Sequence, residues 1–173
     1  FKAINSGLPI KSEIDNFDFQ HLSKNRENFL KSLGLENRPT VLVFGGSLGA
    51  QKLNQVINNC AADIGNLGWN LIQVVGNKNS TMHSSVNFVS LHYIQDMAGA
   101  YAAADFVICR AGAVTCAELM AVGLPVLLIP LPIGNGEQVA NAQELVDLGQ
   151  AQVISNENFN ENWLRANLAQ LLQ

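Results

Sequence analysis

Thr40-Val41-Leu42-Val43-Phe44-Gly45-Gly46-Ser47-Leu48-Gly49-Ala50-Gln51 passes from an unbroken apolar run, through a glycine-rich turn, into a helical pattern. Residues 41–44 read as a buried strand of a parallel sheet, since a half-exposed strand alternates and this one does not. Gly45, Gly46 and Gly49 allow a turn with exposed backbone, and residues 50–61 carry apolar side chains at helical spacing. Such a turn presents unpaired N–H groups at a helix start, where the backbone dipole also favours negative charge, so a phosphate fits there. The spacing is neither G-x-G-x-x-G nor G-x-x-x-x-G-K-[ST], which argues against a dinucleotide or P-loop site. Ser47 adds a hydroxyl beside the backbone donors, which suits the diphosphate of a nucleotide-sugar. Taken alone, the turn also fits an ordinary strand-to-helix connection.

Outward from this stretch, strands and helices alternate with short connections. Further apolar runs occupy residues 71–75, 88–91, 106–109, 126–129 and 152–154. Helical spacing marks residues 25–33, with Gly34 as a C-terminal cap, and residues 51–64, 96–104, 115–122, 138–148 and 161–172. Ser6-Gly7-Leu8-Pro9 reads as a turn in an entry segment. Continuously apolar strands separated by helices predict a Rossmann-like, doubly wound parallel α/β sheet covered on both faces. Ligands of such sheets bind outside the carboxyl ends of the strands, so the strand-to-helix loops are where chemistry is sought.

At 173 residues the chain is long enough for one domain with a real core, and 48% hydrophobic against 14% charged residues predicts compactness. A net charge of −4 without a Lys/Arg cluster argues against a polymeric nucleic acid partner. Cys60, Cys109 and Cys116 sit in apolar contexts without metal-like spacing, and read as buried free thiols of a reducing compartment. No apolar run reaches the roughly 18 to 20 residues that span a bilayer. The start at Phe1 and the helix-like end at Leu172-Gln173 suggest an isolated domain cut from something longer.

Three further loops carry unusual residues. His92-Tyr93-Ile94-Gln95-Asp96-Met97 offers an aromatic ring, an aliphatic side chain and free backbone groups for a nucleobase, or else a hydrophobic staple at a helix start. Arg110-Ala111-Gly112-Ala113-Val114-Thr115-Cys116-Ala117-Glu118 combines close backbone approach at Gly112, donors near Ala113, and a glutamate one turn into a helix. Two carboxylate oxygens match the two donors of a vicinal diol such as a ribose; the alternative is a first-turn glutamate or a core pair with Arg110. Pro130 to Gln138 is a turn that ends on Glu137 and Gln138, groups suited to hexose hydroxyls or to an ordinary polar helix start, with Asn141 a surface residue in that case. His21, His83 and His92 are scattered, so no catalytic triad is expected, and no metal-binding pattern occurs.

Phe44-Gly-Gly-Ser-Leu-Gly-Ala-Gln51, Tyr93-Ile-Gln-Asp-Met97 with Tyr101-Ala-Ala-Ala-Asp105, Cys109-Arg-Ala-Gly-Ala113, Glu118-Leu-Met-Ala-Val-Gly-Leu-Pro125, and Glu137-Gln138 with Asn141-Ala142 together resemble the MurG family. Its members are the N-acetylglucosaminyltransferases of peptidoglycan synthesis that make lipid II from lipid I. The resemblance implies a GT-B glycosyltransferase of two Rossmann-like domains, with residues 1–173 as its C-terminal, donor-binding half. It implies that Gly46, Ser47 and Leu48 hold the UDP diphosphate, and that Tyr93, Ile94 and Met97 frame the uracil, with the Ile94 backbone reading its edge. Ala113, Val114 and Thr115 would approach sugar and phosphates, Glu118 would bind the ribose, and Glu137 and Gln138 would contact N-acetylglucosamine. Lys11 and Leu8 stand where the family writes arginine and asparagine in T-G-N-P-V-R, and Glu137 where it writes glutamine or histidine.

The implied reaction is inverting, with no cofactor and no metal, and with UDP-N-acetylglucosamine as donor substrate. The general base and the site for the undecaprenyl-linked muramyl acceptor are expected in the absent half, which leaves no catalytic residue here. The whole enzyme would work peripherally at the cytoplasmic face of the bacterial membrane, this half being soluble. Alternatives are another UDP-sugar GT-B transferase or epimerase, or a non-catalytic nucleotide-sugar binding subunit that needs a partner chain. An NAD-dependent oxidoreductase is disfavoured by the first loop.

Overall fold

The computed structural model describes residues 10, 12–15, 22–46, 51–76, 84–132 and 135–173. The apolar run after Pro39 is β1 (Thr40–Phe44), whose Thr40, Val41, Leu42 and Val43 are fully buried. Burial on both faces demands a central position, and β1 pairs in parallel with β2 (Asn70–Val74) on one side and β5 (Phe106–Cys109) on the other. Beyond β2 lie β4 (Phe88–Leu91) and the two-residue β3 (Ser84–Ser85); beyond β5 lie β6 (Val126–Leu128) and β7 (Ala151–Val153). The pairings are parallel apart from β3 with β4. The chain builds outward from β1 through β2 to β4, then crosses back to β5, so the strand order reverses between β1 and β5. That reversal is the topological switch point of a doubly wound sheet.

Successive side chains of a strand face opposite ways, and the core divides accordingly. Val41, Val43, Leu71, Ile108 and Leu127 pack beneath α3 (Gln51–Asn66) and α7 (Glu161–Leu171). Leu42, Ile72, Val107, Val126 and Leu128 pack against the opposite layer, made of α1 (Ser12–Asp15), α2 (Leu22–Ser32), α4 (Met97–Ala103), α5 (Ala113–Val122) and α6 (Glu137–Asp147). The expected doubly wound parallel α/β architecture is the one observed.

Each of the six expected strands is present with ends within one residue of the predicted ones. The expected helices are also present, although α2 starts earlier than residue 25 and α5 earlier than residue 115. The four-residue α1 and the two-residue β3 are too short to leave a periodic signal. The expected turn at residues 6–9 lies outside the described residues.

Gly34 closes α2 as expected. At φ 71° it lets Leu35 N donate to Leu30 O at 2.9 Å and Gly34 N to Lys31 O at 3.1 Å, a Schellman motif. Arg26 of α2 donates to Ala103 O at 2.9 Å, Arg38 O at 2.6 Å and Asp105 Oδ2 at 2.8 Å. Asp105 Oδ2 also accepts from Thr40 N at 2.8 Å, so one ion pair gathers the amino ends of β1 and β5. The carboxyl ends of the same strands are left to the loops.

Candidate functional site

At the carboxyl edge, the loops after β1, β2 and β4 enclose a cleft of about 350 Å³. Its walls are Phe44, Gly46, Val74, Gly76, His92, Tyr93, Ile94 and Met97. Size and composition fit a small-molecule site, which is concave and mostly apolar with a few polar groups. The Ile94 side chain is buried in the core and anchors the wall from behind, whereas Tyr93 is 68% exposed at the rim. Gly46 has φ 85°, a conformation that a side chain would strain, so the turn after β1 requires glycine at this place. His92 lies at the mouth, with Nδ1 3.4 Å from Gly76 O.

Behind the cleft wall stands a buried polar pair. Tyr101 of α4 donates its hydroxyl to Glu118 Oε2 of α5 at 2.9 Å. Tyr101 is 1% exposed and Glu118 is 8% exposed. The Tyr101 ring meets the cleft residue Phe44 edge-on, with centroids 6.3 Å apart and an interplanar angle of 64°. Burial, then the adjacent Glu118 charge and the hydrogen bond to it, push the Tyr101 phenol far above its ordinary range, so it stays a donor. Glu118 thus pairs with Tyr101 and not with Arg110. The Arg110 guanidinium sends Nη1 to Ile129 O at 3.0 Å, and its buried Nε has no partner among the described residues. Burial lowers the Arg110 pKa.

The loops after β5 and β6 are stitched together. Gly112 is the N-cap of α5 and has no side chain to cap it, so among the described residues no cap side chain takes the first N–H groups of α5, which suit an outside acceptor. Gly112 has φ −68°, and a Cβ there would meet nothing nearer than Thr115 Oγ1 at 3.7 Å. Neither its backbone nor its neighbours call for glycine. Gln138 Oε1 accepts from Leu131 N at 2.8 Å, which leaves its amide NH₂ to donate elsewhere. Asn141 Nδ2 reaches across to Ala111 O at 3.1 Å. Glu137 is exposed in the first turn of α6, where its charge suits the helix dipole.

Residues 40–173 match the model of the glycosyltransferase family 28 C-terminal domain. The chain belongs to this family. It is 42% identical over 173 aligned residues to the UDP-N-acetylglucosamine–N-acetylmuramyl-(pentapeptide) pyrophosphoryl-undecaprenol N-acetylglucosamine transferase of Thermobifida fusca, over 96% of this chain and 45% of that one. To the transferase of the same name from Streptomyces coelicolor it is 40% identical, over 96% of this chain and 46% of that one. Among solved structures, MurG of Acinetobacter baumannii superposes with a TM-score of 0.74 at 27% identity, over 100% of this chain and 49% of that one. The calicheamicin glycosyltransferase CalG4 shares the fold at 18% identity, with a TM-score of 0.63 over 79% of this chain and 34% of that one. The chain therefore spans about half the length of these family 28 relatives. Its sheet is one Rossmann-like half of the GT-B architecture.

Within this family 28 domain, Gly46, Tyr93, Ile94 and Met97 come together around the cleft. Ala113, Val114 and Thr115 form the first turn of α5, with Val114 47% exposed, and Glu137 and Gln138 form that of α6. Glu118 does not line the cleft but sits one ring behind it. Lys11, Ser47 and Leu48 lie outside the described residues. Sequence reasoning missed Tyr101 as the partner of Glu118, and Asn141 as a tether between loops. Each pairs with a residue on another element, and no local pattern announces either.

Proposed function

We propose that this chain is the donor-binding half of an inverting N-acetylglucosaminyltransferase of peptidoglycan synthesis, acting on UDP-N-acetylglucosamine and the muramyl sugar of lipid I. The observation that carries the reading is 42% identity, over 96% of the chain, to a relative whose name states that donor and acceptor. The cleft at the carboxyl edge of β1, β2 and β4 supports it, being mostly apolar and of nucleobase scale.

Uracil lies among Tyr93, Ile94 and Met97, with its edge on the Ile94 backbone. Gly46, Ser47 and Leu48 hold the diphosphate, Ala113 to Thr115 approach phosphates and sugar, and Glu118 accepts from the ribose. The Gln138 amide and the Glu137 carboxylate meet the N-acetylglucosamine hydroxyls, the first donating and the second accepting. Lys11 supplies a single charge where the family has the planar fork of arginine, a weaker hold on the nucleotide. The acceptor hydroxyl attacks the anomeric carbon as its bond to the UDP oxygen breaks, and the hydroxyl proton passes to a base outside this half. This half contributes position and stabilisation of charge on the departing diphosphate, with no metal. The acceptor lipid is met at the cytoplasmic membrane face, through the part of the relatives that this chain does not cover.

Calorimetric titration in the presence of a chelator tests the reading. UDP and UDP-N-acetylglucosamine bind without turnover, whereas GDP-mannose and NAD do not. Equal binding of all four, or binding of none, overturns it.

A further inference from the structure

The residue expected to bind the ribose is Glu118 of α5, yet the structure gives one of its two carboxyl oxygens to a protein donor. Oε2 accepts from the Tyr101 hydroxyl at 2.9 Å, and Oε1 has no partner among the described residues. A buried carboxyl on a flexible side chain has several rotamers, and only a fixed one presents its free oxygen in a constant direction. We propose that Tyr101 is a positioning residue for donor recognition, its hydroxyl locking the Glu118 carboxyl in the orientation from which it accepts the ribose diol. This rests on the reading of Glu118 as the ribose-binding residue.

Three observations support the lock. Tyr101 itself cannot wander, because its ring is buried among Leu42, Leu119 and Cys116 in one core layer and meets Phe44 edge-on. Phe44 lines the cleft, so the face that a nucleotide would touch and the ring that orients Glu118 are in contact. The phenol also keeps its proton, since burial and the Glu118 charge both oppose its loss, so the bond always runs from tyrosine to glutamate. A carboxylate has about four lone-pair sites on its two oxygens. One is taken by Tyr101, and Oε1 with the second lone pair of Oε2 remains for the two ribose hydroxyls.

The test is the ratio of affinities for UDP and 2′-deoxy-UDP, measured by calorimetry on this chain and its variants. A change that merely loosens the fold weakens both ligands alike and leaves the ratio intact. The unaltered chain prefers UDP by about tenfold, the scale of one hydrogen bond to a charged group. Glu118→Gln lowers that preference. Tyr101→Phe, and Tyr101→Met as a second side chain without a hydroxyl, bring it below about threefold, with affinity for UDP falling more than that for 2′-deoxy-UDP. A full preference in folded Tyr101→Phe or Tyr101→Met, with Glu118→Gln impaired, overturns the role of Tyr101 and leaves the ribose reading standing. No preference in the unaltered chain, or a full one in Glu118→Gln, overturns the ribose reading and this proposal with it. A measurement without any variant uses the fact that the chain has two tyrosines. With tyrosine labelled at Cζ, the Tyr101 resonance shifts with UDP and much less with 2′-deoxy-UDP; a resonance that ignores both nucleotides overturns the proposal.

Discussion

Asn141 donates Nδ2 to the Ala111 carbonyl at 3.1 Å, which ties the N-terminal half of α6 to the turn that precedes α5. The two residues are thirty apart in the chain and belong to different strand-to-helix units. Gln138 bonds back to Leu131 N, and Arg110 clamps Ile129 O, so these bonds cross-link the two helix starts into one rim. A rim of this kind keeps the N–H groups of α5 and the polar side chains of α6 at a constant separation, as recognition of one extended ligand requires.

Asn141→Ala removes the tether. The expected cost is about 1 kcal/mol of stability, the usual worth of a neutral hydrogen bond, with a larger relative loss for UDP-N-acetylglucosamine than for UDP. Urea denaturation and calorimetry read the two effects. Equal losses for both nucleotides would show that the tether serves the fold alone.

Gly112→Ala separates fold from ligand. Alanine fits the backbone at φ −68° and makes only ordinary contact with Thr115 Oγ1, so only the poorer N-cap costs stability, about 1 kcal/mol or less. Affinity for UDP-N-acetylglucosamine falls by about tenfold, because the new methyl group occupies the approach to the α5 N–H groups. Unaltered affinity in calorimetry would remove Gly112 from the contact surface.

Arg26→Met acts at the opposite end of the sheet. It leaves the carbonyls of Ala103 and Arg38 without their charged donor and Asp105 without its cationic partner. A loss of about 2 kcal/mol follows in urea denaturation, most of it from the part-buried carbonyl bonds, since Asp105 is partly exposed. Donor affinity of the folded fraction stays the same.

Alkaline stability depends on buried thiols. Burial pushes the Cys116 thiol up from its ordinary 9.0 to about 11, and Cys109 is raised as well. Between those limits the unfolded chain releases a proton that the folded chain keeps, so ionisation favours unfolding. The stability contributed by Cys116 is complete below about pH 9 and is lost as pH rises through about 11. Thermal melting points decline over that interval, and Cys116→Ala flattens part of the decline. A slope that the substitution leaves unchanged would contradict the assignment.

Most of the fold is legible in the sequence because a sheet buried on both faces leaves uninterrupted apolar runs. Val41, Leu42 and Val43 face alternate layers, yet all are apolar because both layers are covered. The helices announce themselves through the spacing of residues such as Leu53, Val56, Ile57, Cys60 and Ile64. The cleft is legible in part: Tyr93, Ile94 and Met97 follow directly from the loop after β4. The support behind it is not. Tyr101 sits in an alanine-rich helix and reads as core, and its hydrogen bond to Glu118 spans two elements without a shared period. Arg110, the nearer cation in sequence, reads as an equally good partner, and only the packed sheet shows that it turns instead to Ile129.

The most direct test of the donor-site reading is a crystal structure of this chain soaked with UDP-N-acetylglucosamine, read for the distance between the ribose hydroxyls and the Glu118 carboxyl. The account predicts uracil between Tyr93 and Met97, and at least one ribose hydroxyl within about 3.2 Å of Glu118. A nucleotide bound away from the cleft, or a ribose turned from Glu118 with Tyr101 still bonded to it, would contradict the account.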